Sequence, residues 1–156
     1  MSDQYITMHI SITSFQEEEQ AIRHIRGSVF VKEQGIPNED EYDDNDNVCV
    51  HAIAWDEGRP VGTGRLSDDG RIGRIAVMKQ ARGKGIAKTI ILALEQHARK
   101  CGLRQLWAHA QVQALGFYKK VGYRVDGDEF MEDGILHKRI QKSIQPPDQD
   151  DTRNRV

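Results

Sequence analysis

The stretch that most constrains this chain runs from Arg74 to Cys101, RIAVMKQARGKGIAKTIILALEQHARKC. It reads as strand, glycine-rich turn and helix. Ile75-Ala76-Val77 is a short apolar run suited to a buried strand end. Gln80-Ala81-Arg82-Gly83-Lys84-Gly85-Ile86-Ala87 follows at once, and its two glycines remove Cβ atoms where backbone must come close to something. Ala87, Ile90, Ile91, Leu94, Ala98 and Cys101 then recur at helical spacing, with Lys88, Glu95, Gln96, Arg99 and Lys100 mostly on other faces. Lys100 and Gly102 supply a basic last turn and a glycine stop.

The turn suggests a ligand class. The first amides of a helix have no partner within it, and the helix dipole is positive at that end. Glycines let a phosphate approach those amides, and Arg82 and Lys84 add charge. The residues point to a phosphate or pyrophosphate site. The bland alternative is a tight connection that binds nothing, which has no need of two glycines and two cations.

Three phosphate motifs compete. A P-loop needs G-x-x-x-x-G-K-[ST]; Lys88-Thr89 fit its end, but Arg82 and Ala87 occupy the glycine positions that give the loop its conformation. A dinucleotide fingerprint fails because Lys88 stands at its third glycine. The third pattern fits: Q-x-R-G-x-G-I-A after a strand ending in Ala-Val resembles motif A of the GNAT acyltransferases. That resemblance implies that the turn holds the pyrophosphate of acetyl-coenzyme A.

Length and composition set the frame. With 156 residues, one domain with a real core is expected. A net charge of −2 offers no basic excess for nucleic acid. No long apolar run marks a membrane span or signal peptide. Cys49 and Cys101 lack metal-ligand spacing and read as reduced, partly buried thiols of a cytoplasmic protein, a disulfide between them being the lesser alternative.

Along the chain, Tyr5 to Ile12 suits a first strand, and Ser14 with Glu17 a capping box. A helix is expected from about Gln16 to Val31, weakened by Gly27, with Ala21, Ile22, Ile25, Val29 and Phe30 facing the core. The acidic run NEDEYDDNDN, Asn38 to Asn47, reads as a solvated loop, with attraction of a cationic amine as the sharper reading. A calcium loop is disfavoured because the run lacks the central Gly and final Glu of an EF-hand. Val48–Trp55 and Pro60–Leu66 form strands around the turn Asp56–Arg59, with Gly62 and Gly64 loosening the second. Arg71–Val77 feeds the glycine turn. Leu103–Ala110 is a strand, Val112–Val121 a short helix stopped by Gly122, and Tyr123–Val125 with Ile135–Ile140 a last pair connected through Glu129 to Gly134. Residues 145–156 carry no apolar pattern and are expected to be a disordered tail.

The resemblance reaches further. Gln111-Val112-Gln113-Ala114-Leu115-Gly116-Phe117-Tyr118-Lys119-Lys120-Val121-Gly122-Tyr123 is similar to the family's N-x-x-A-x-x-x-Y-x-x-x-G-F, with Gln111 at the usual Asn and Tyr123 at the usual Phe. Arg26, Val29-Phe30, Glu33-Gln34, Glu41, Asp43, His51, Gly62-Thr63-Gly64-Arg65-Leu66, Arg74-Ile75-Ala76-Val77, His109-Ala110-Gln111 and Gly134-Ile135 with His137 look like its bacterial ElaA/YjcF-like branch. The match spans roughly residues 8 to 144. It implies an α/β (α+β) GNAT fold over residues 1–144, a mixed, mostly antiparallel sheet flanked by helices. It also implies N-acetyl transfer from acetyl-CoA to a primary amine by direct attack in a ternary complex. The acceptor is then a small-molecule or peptide amine, with no metal, nucleic acid or membrane involved, and a homodimer is ordinary for such a fold. A non-catalytic acyl-CoA sensor is the alternative.

Acyl transfer needs a neutral amine, a polarised carbonyl and a proton for the departing thiolate. By resemblance, the cofactor contacts are Ile75, Ala76, Val77, Arg82, Gly83, Lys84, Gly85, Ile86, Ala87, Gln111 and Tyr118. The Ile75–Val77 amides pair with the pantetheine arm, and Tyr118 protonates the thiolate, as a phenol with a pKa near 10 can. The strand before the turn offers no Glu or His as base. Candidates elsewhere are Glu33, His51, His109, Glu132 and His137, with water or no dedicated base as alternatives. Arg26, Arg65 and Arg74 either hold an anionic substrate group or pair with the acidic loop.

Overall fold

The computed structural model describes residues 8–146. Tyr5–Thr7 of the expected first strand and residues 147–156 of the expected tail lie outside them. The chain divides into two compact units. Among the described residues, one holds 8–68 and 72–94, and the other holds 69–71 and 95–146.

In the first unit, β1 (Met8–Ser14) leads into α1 (Glu19–Arg26), which continues as a π-helical segment over Gly27–Glu33. The Ser14 hydroxyl accepts the Glu17 N–H at 3.1 Å and donates to the Glu17 carboxylate, so it closes a turn ahead of the helix instead of capping it. The wider winding begins at Gly27, the residue expected to weaken the helix. Ile22, Ile25, Val29 and Phe30 are buried as the spacing predicts, and they pack with Phe15, Ile36, Ile53 and Ala76.

A short helix, α2 (Asn38–Glu41), precedes β2 (Val50–Asp56), β3 (Arg59–Leu66) and β4 (Ile72–Val77). The four strands form an antiparallel sheet in the order β1-β2-β3-β4. The long helix α3 covers Ile86–Lys100. Gly62 and Gly64 do not loosen β3; they make room for side chains above it. A Cβ on Gly62 would lie 2.8 Å from Ile90 Cδ1 and 2.9 Å from Ile86 Cγ2. One on Gly64 would lie 2.5 Å from Ile75 Cδ1 and 3.0 Å from Ile90 Cγ2. The glycine spacing in β3 and the apolar spacing in α3 are two halves of one packing arrangement.

β4 carries a bulge. Its pairing with β3 steps from Thr63↔Ala76 to Arg65↔Gly73, so two residues of β4 oppose one of β3. Arg74 takes up the extra length with φ at 51°, a left-handed conformation that costs a residue with a Cβ.

In the second unit, β5 (Gln105–Gln111) pairs antiparallel with β8 (Ile135–Ser143) along its whole length. Between them lie α4 (Leu115–Lys120), β6 (Arg124–Val125) and β7 (Phe130–Glu132), and both short strands pair with the other side of β8. β7 falls inside the expected connection Glu129–Gly134. Its turn, Asp133 (φ 54°) and Gly134 (φ 74°), has both central residues at positive φ, as a tight hairpin requires. Leu106, Ala108 and Ala110 point to the core, which leaves Trp107, His109 and Gln111 on the opposite face of β5. Cys49 and Cys101 are both free thiols. Among the described residues no helix is long and apolar enough to cross a membrane.

Candidate active site

The glycine turn leaves β4 through Met78, whose N–H donates to the Val61 carbonyl at 2.8 Å. Gly83 and Gly85 have φ values of 82° and 80°, and a Cβ on either would meet nothing within 4 Å. Conformation, not crowding, therefore calls for glycine here, and the side of the turn where those Cβ atoms would lie is open. The first bond of α3 runs from the Thr89 N–H to the Gly85 carbonyl at 3.1 Å. The amides of Ile86, Ala87 and Lys88 precede it and have no partner within the helix. Three such amides at the positive end of a four-turn helix, with exposed Lys84 beside them, form a donor set that suits a diphosphate.

Arg82 has a different first partner. Its Nη atoms fork onto the two Glu33 oxygens, both at 2.7 Å, and its Nε donates to the Val77 carbonyl at 2.9 Å. The bidentate bond and charge of Arg82 hold the Glu33 carboxyl below the usual range despite some burial. Two residues expected in separate roles, cation for phosphate and candidate base, thus answer each other. Ile75, Ala76 and Val77 lie just past the bulge on β4, the edge strand of its sheet, where one side of the backbone is outside that sheet's ladder.

The three arginines pair with the acidic segment. Arg26 is fully buried and donates to Glu41 and Asp46 carboxylates at 2.6 Å each and to the Glu41 carbonyl at 2.7 Å. Arg65 bonds Asp43 at 2.8 Å and Asp46 at 2.7 Å, and Arg74 reaches the Glu41 carbonyl at 3.2 Å. The segment is thus no solvated loop throughout: Glu41 and Asp46 are interior counter-ions. His51 joins them, its Nε2 2.9 Å from the Asp46 carbonyl, and burial pushes its pKa down, which keeps the ring neutral.

Tyr118 is placed by the end of α4. The Gly122 N–H returns to the Lys119 carbonyl and the Tyr123 N–H to the Tyr118 carbonyl, a Schellman closure with Gly122 at φ 101°. That closure brings the Tyr123 ring edge-on to the Tyr118 ring, 5.7 Å between centroids. Burial alone pushes the Tyr118 hydroxyl up to about 12, so it carries its proton throughout the neutral range. Gln111 ends β5 and accepts a bond from the Gln113 amide.

His109, Glu132 and His137, three of the five base candidates, stand together. His109 Nδ1 is 2.9 Å from Glu132 Oε1, and His137 Nε2 is 3.9 Å from Glu132 Oε2. Phe130 packs between the imidazoles, 4.8 Å from His109 and 5.9 Å from His137. Burial would raise the Glu132 carboxyl, but the His109 bond and the charges of His109, His137 and Arg71 outweigh it and hold it low. β7 brings Glu132 here by pairing with β8 (Phe130↔His137), an arrangement the sequence signals only through Asp133-Gly134 after an apolar pair.

The spacing argument also overlooked Glu95. It is fully buried, accepting from the Tyr123 hydroxyl at 2.8 Å and from Lys142 Nζ at 3.0 Å. The available signal was Tyr123 itself, a tyrosine where the resembling family has phenylalanine.

Known proteins agree with this architecture. The description "Acetyltransferase (GNAT) domain" matches residues 16–144. YjcF of Bacillus subtilis, an uncharacterised N-acetyltransferase, is 39% identical over 139 residues, covering 86% of this chain and 99% of its own. The crystal structure of an acyl-CoA N-acyltransferase from Pseudomonas aeruginosa superposes with a TM-score of 0.78 at 26% identity, covering 86% of this chain and 99% of that one. ElaA of Escherichia coli shares the fold, with a TM-score of 0.76 at 23% identity over 86% of this chain and 99% of its own.

Proposed function

The chain belongs to the GNAT acetyltransferase family, and from that premise we propose that residues 1–144 form an acetyl-CoA-dependent N-acyltransferase acting on a primary amine by direct attack in a ternary complex. The observation that carries this reading is the open turn at Gly83 and Gly85, with three helix amides behind it that have no partner within the helix. Acetyl-CoA supplies the acyl group as a thioester, already activated toward amines. The amides of Ile86, Ala87 and Lys88 and the Lys84 ammonium bind its diphosphate, while the outer N–H groups of Arg82 add what its fork with Glu33 leaves over. Backbone groups of Ile75, Ala76 and Val77 on the edge of β4 pair with the pantetheine arm, and Gln111 contributes its side-chain amide.

Tyr118 acts on the leaving sulfur. A phenol at about 12 does not surrender its proton outright to a thiolate, since a simple thiol such as that of cysteine has a pKa of about 8.5. Its contribution is a hydrogen bond that strengthens as charge develops on the sulfur. The acceptor is a small-molecule or peptide amine.

Calorimetry with acetyl-CoA and a thiol-release assay over a panel of amines test this. Tyr118→Phe is expected to keep the dissociation constant for acetyl-CoA and lower kcat; a non-catalytic acyl-CoA sensor would be indifferent to it. Absence of acetyl-CoA binding, together with no thiol release for any amine, overturns the assignment.

A further inference from the structure

The imidazole of His109 sits between groups that make opposite demands on one nitrogen. Its Nδ1 is 2.9 Å from Glu132 Oε1, which can only accept, and 3.1 Å from Arg71 Nη2, which can only donate. A bare Nδ1 would satisfy Arg71 but turn a lone pair on the carboxylate. A protonated Nδ1 gives Glu132 the shorter, charge-assisted bond. Arg71 keeps other attractive neighbours: Glu132 itself at 4.0 Å and the face of Trp107 at 5.1 Å. The geometry therefore selects Nδ1–H, which leaves the Nε2 lone pair as the basic position of the ring.

The other base candidates are committed elsewhere. Glu33 is forked onto Arg82, and His51 is buried against a carbonyl. His137 is committed at both nitrogens: Nδ1 donates to the Ile135 carbonyl at 2.7 Å, and Nε2 faces the Glu132 carboxylate at 3.9 Å. His109 keeps about a quarter of its side chain exposed, at 24%, against 8% for His137.

We propose that His109 is the general base of the acyl transfer, with Glu132 as its positioning residue; the assignment rests on the acyltransferase reading above. The amine nitrogen attacks the thioester carbonyl carbon, the C–N bond forms, and the C–S bond breaks with its electron pair leaving on sulfur. One N–H proton of the amine passes to His109 Nε2 and from there to solvent, while the thiolate, held by the Tyr118 hydroxyl bond, takes up a proton from solvent, so amine and thioester become amide and thiol. Glu132 holds Nδ1–H throughout and balances the imidazolium. The groups facing this ring are Glu132 from β7, His137 from β8 and Arg71 ahead of β4, with Arg139 over the Trp107 ring and itself paired to Asp126. Glu132 favours the charged imidazole and Arg71 opposes it.

Two measurements on the intact protein decide the matter. Long-range 1H–15N spectra of the imidazoles are expected to show His109 as the Nδ1–H tautomer in alkaline solution. An Nε2–H tautomer overturns the proposal. With an amine from the panel that the enzyme acetylates, His109→Gln is expected to lower kcat about a hundredfold and to abolish the acid limb of kcat/KM, with acetyl-CoA affinity by calorimetry preserved. Glu132→Gln should shift that limb to lower pH. A retained limb in His109→Gln overturns the base assignment and leaves the acyltransferase standing. Loss of acetyl-CoA binding and thiol release in the wild type instead brings down the acyltransferase reading and this proposal with it.

Discussion

Tyr123 donates its hydroxyl hydrogen to Glu95 across 2.8 Å, and the same tyrosine lays its ring against Tyr118. Glu95 is fully buried, and Lys142 Nζ stands 3.0 Å from each of its oxygens while also donating to the Val121 carbonyl at 2.8 Å. Burial, with the negative carboxylate beside it, pushes the Tyr123 hydroxyl far above its ordinary value, so this bond does not titrate in the working range. A buried ion pair on α3 and β8 thus reaches the ring beside Tyr118, which a phenylalanine at 123 could not accomplish.

Removing one member of that pair should be worse than removing the hydroxyl. Lys142→Met leaves a buried carboxylate with one donor fewer and is expected to cost about 3–5 kcal/mol. Tyr123→Phe should cost about 1–3 kcal/mol. Urea unfolding of the two variants checks the order; equal losses would contradict the ion-pair account.

The packing of α3 on β3 predicts intolerance of a single methyl group. Gly62→Ala forces its Cβ against Ile90, Ile86 and the Ala76 carbonyl at 2.8, 2.9 and 3.3 Å, and overpacking of this kind costs about 1–3 kcal/mol. Combining it with Ile90→Val removes the nearest methyl and should recover part of the loss. Thermal melts of the three proteins test the non-additivity.

Glu33 competes for the positive charge of Arg82. Glu33→Gln should leave that charge uncompensated at the glycine turn, tightening acetyl-CoA binding several-fold and steepening its salt dependence, as calorimetry at two ionic strengths would register. Stability should hardly change, because the pair is exposed and such pairs contribute about 0–1 kcal/mol.

Acid should act on the buried arginine cluster in two directions. The bonds and charges of Arg26 and Arg65 overcome burial and hold Asp46 below its ordinary range; Arg65 and Arg74 do the same for Asp43. Their stabilisation is complete above the unfolded carboxyl pKa of about 3.9 and is lost as pH falls through the depressed folded values. Burial raises Glu41 despite Arg26 and Arg74, so its contribution has the opposite sign: stability falls as pH rises from the unfolded value of about 4.3 toward the raised folded one. Asp46→Asn should flatten the acid limb of urea midpoints measured from pH 2.5 to 6, whereas Glu41→Gln should remove the opposing decline that sets in as pH rises above the unfolded carboxyl value.

Local signals made most of the framework legible. The apolar spacing of α3, the glycine stops at Gly102 and Gly122 and the alternation in β5 each depend on neighbours within a few residues. The glycine turn was legible too, although its open φ values, not close approach, explain the glycines. What stayed hidden depended on distant partners. Arg26 and Asp46 are twenty residues apart, and nothing in an acidic run announces which carboxylates turn inward. β7 is three residues long and acquires its identity only by pairing with β8. The meeting of His109 with Glu132 follows from that pairing.

The segment from Glu41 to Asp46 has the composition of a disposable linker, and a protein engineer trimming or grafting loops would reach for it early. Its carboxylates, however, are the counter-ions of Arg26, Arg65 and Arg74. Excising it would strand guanidinium groups inside the fold, so insertions and circular permutants that other surface connections accept should fail there, and chimaeras of this domain must inherit the acidic segment and its arginines as one cassette.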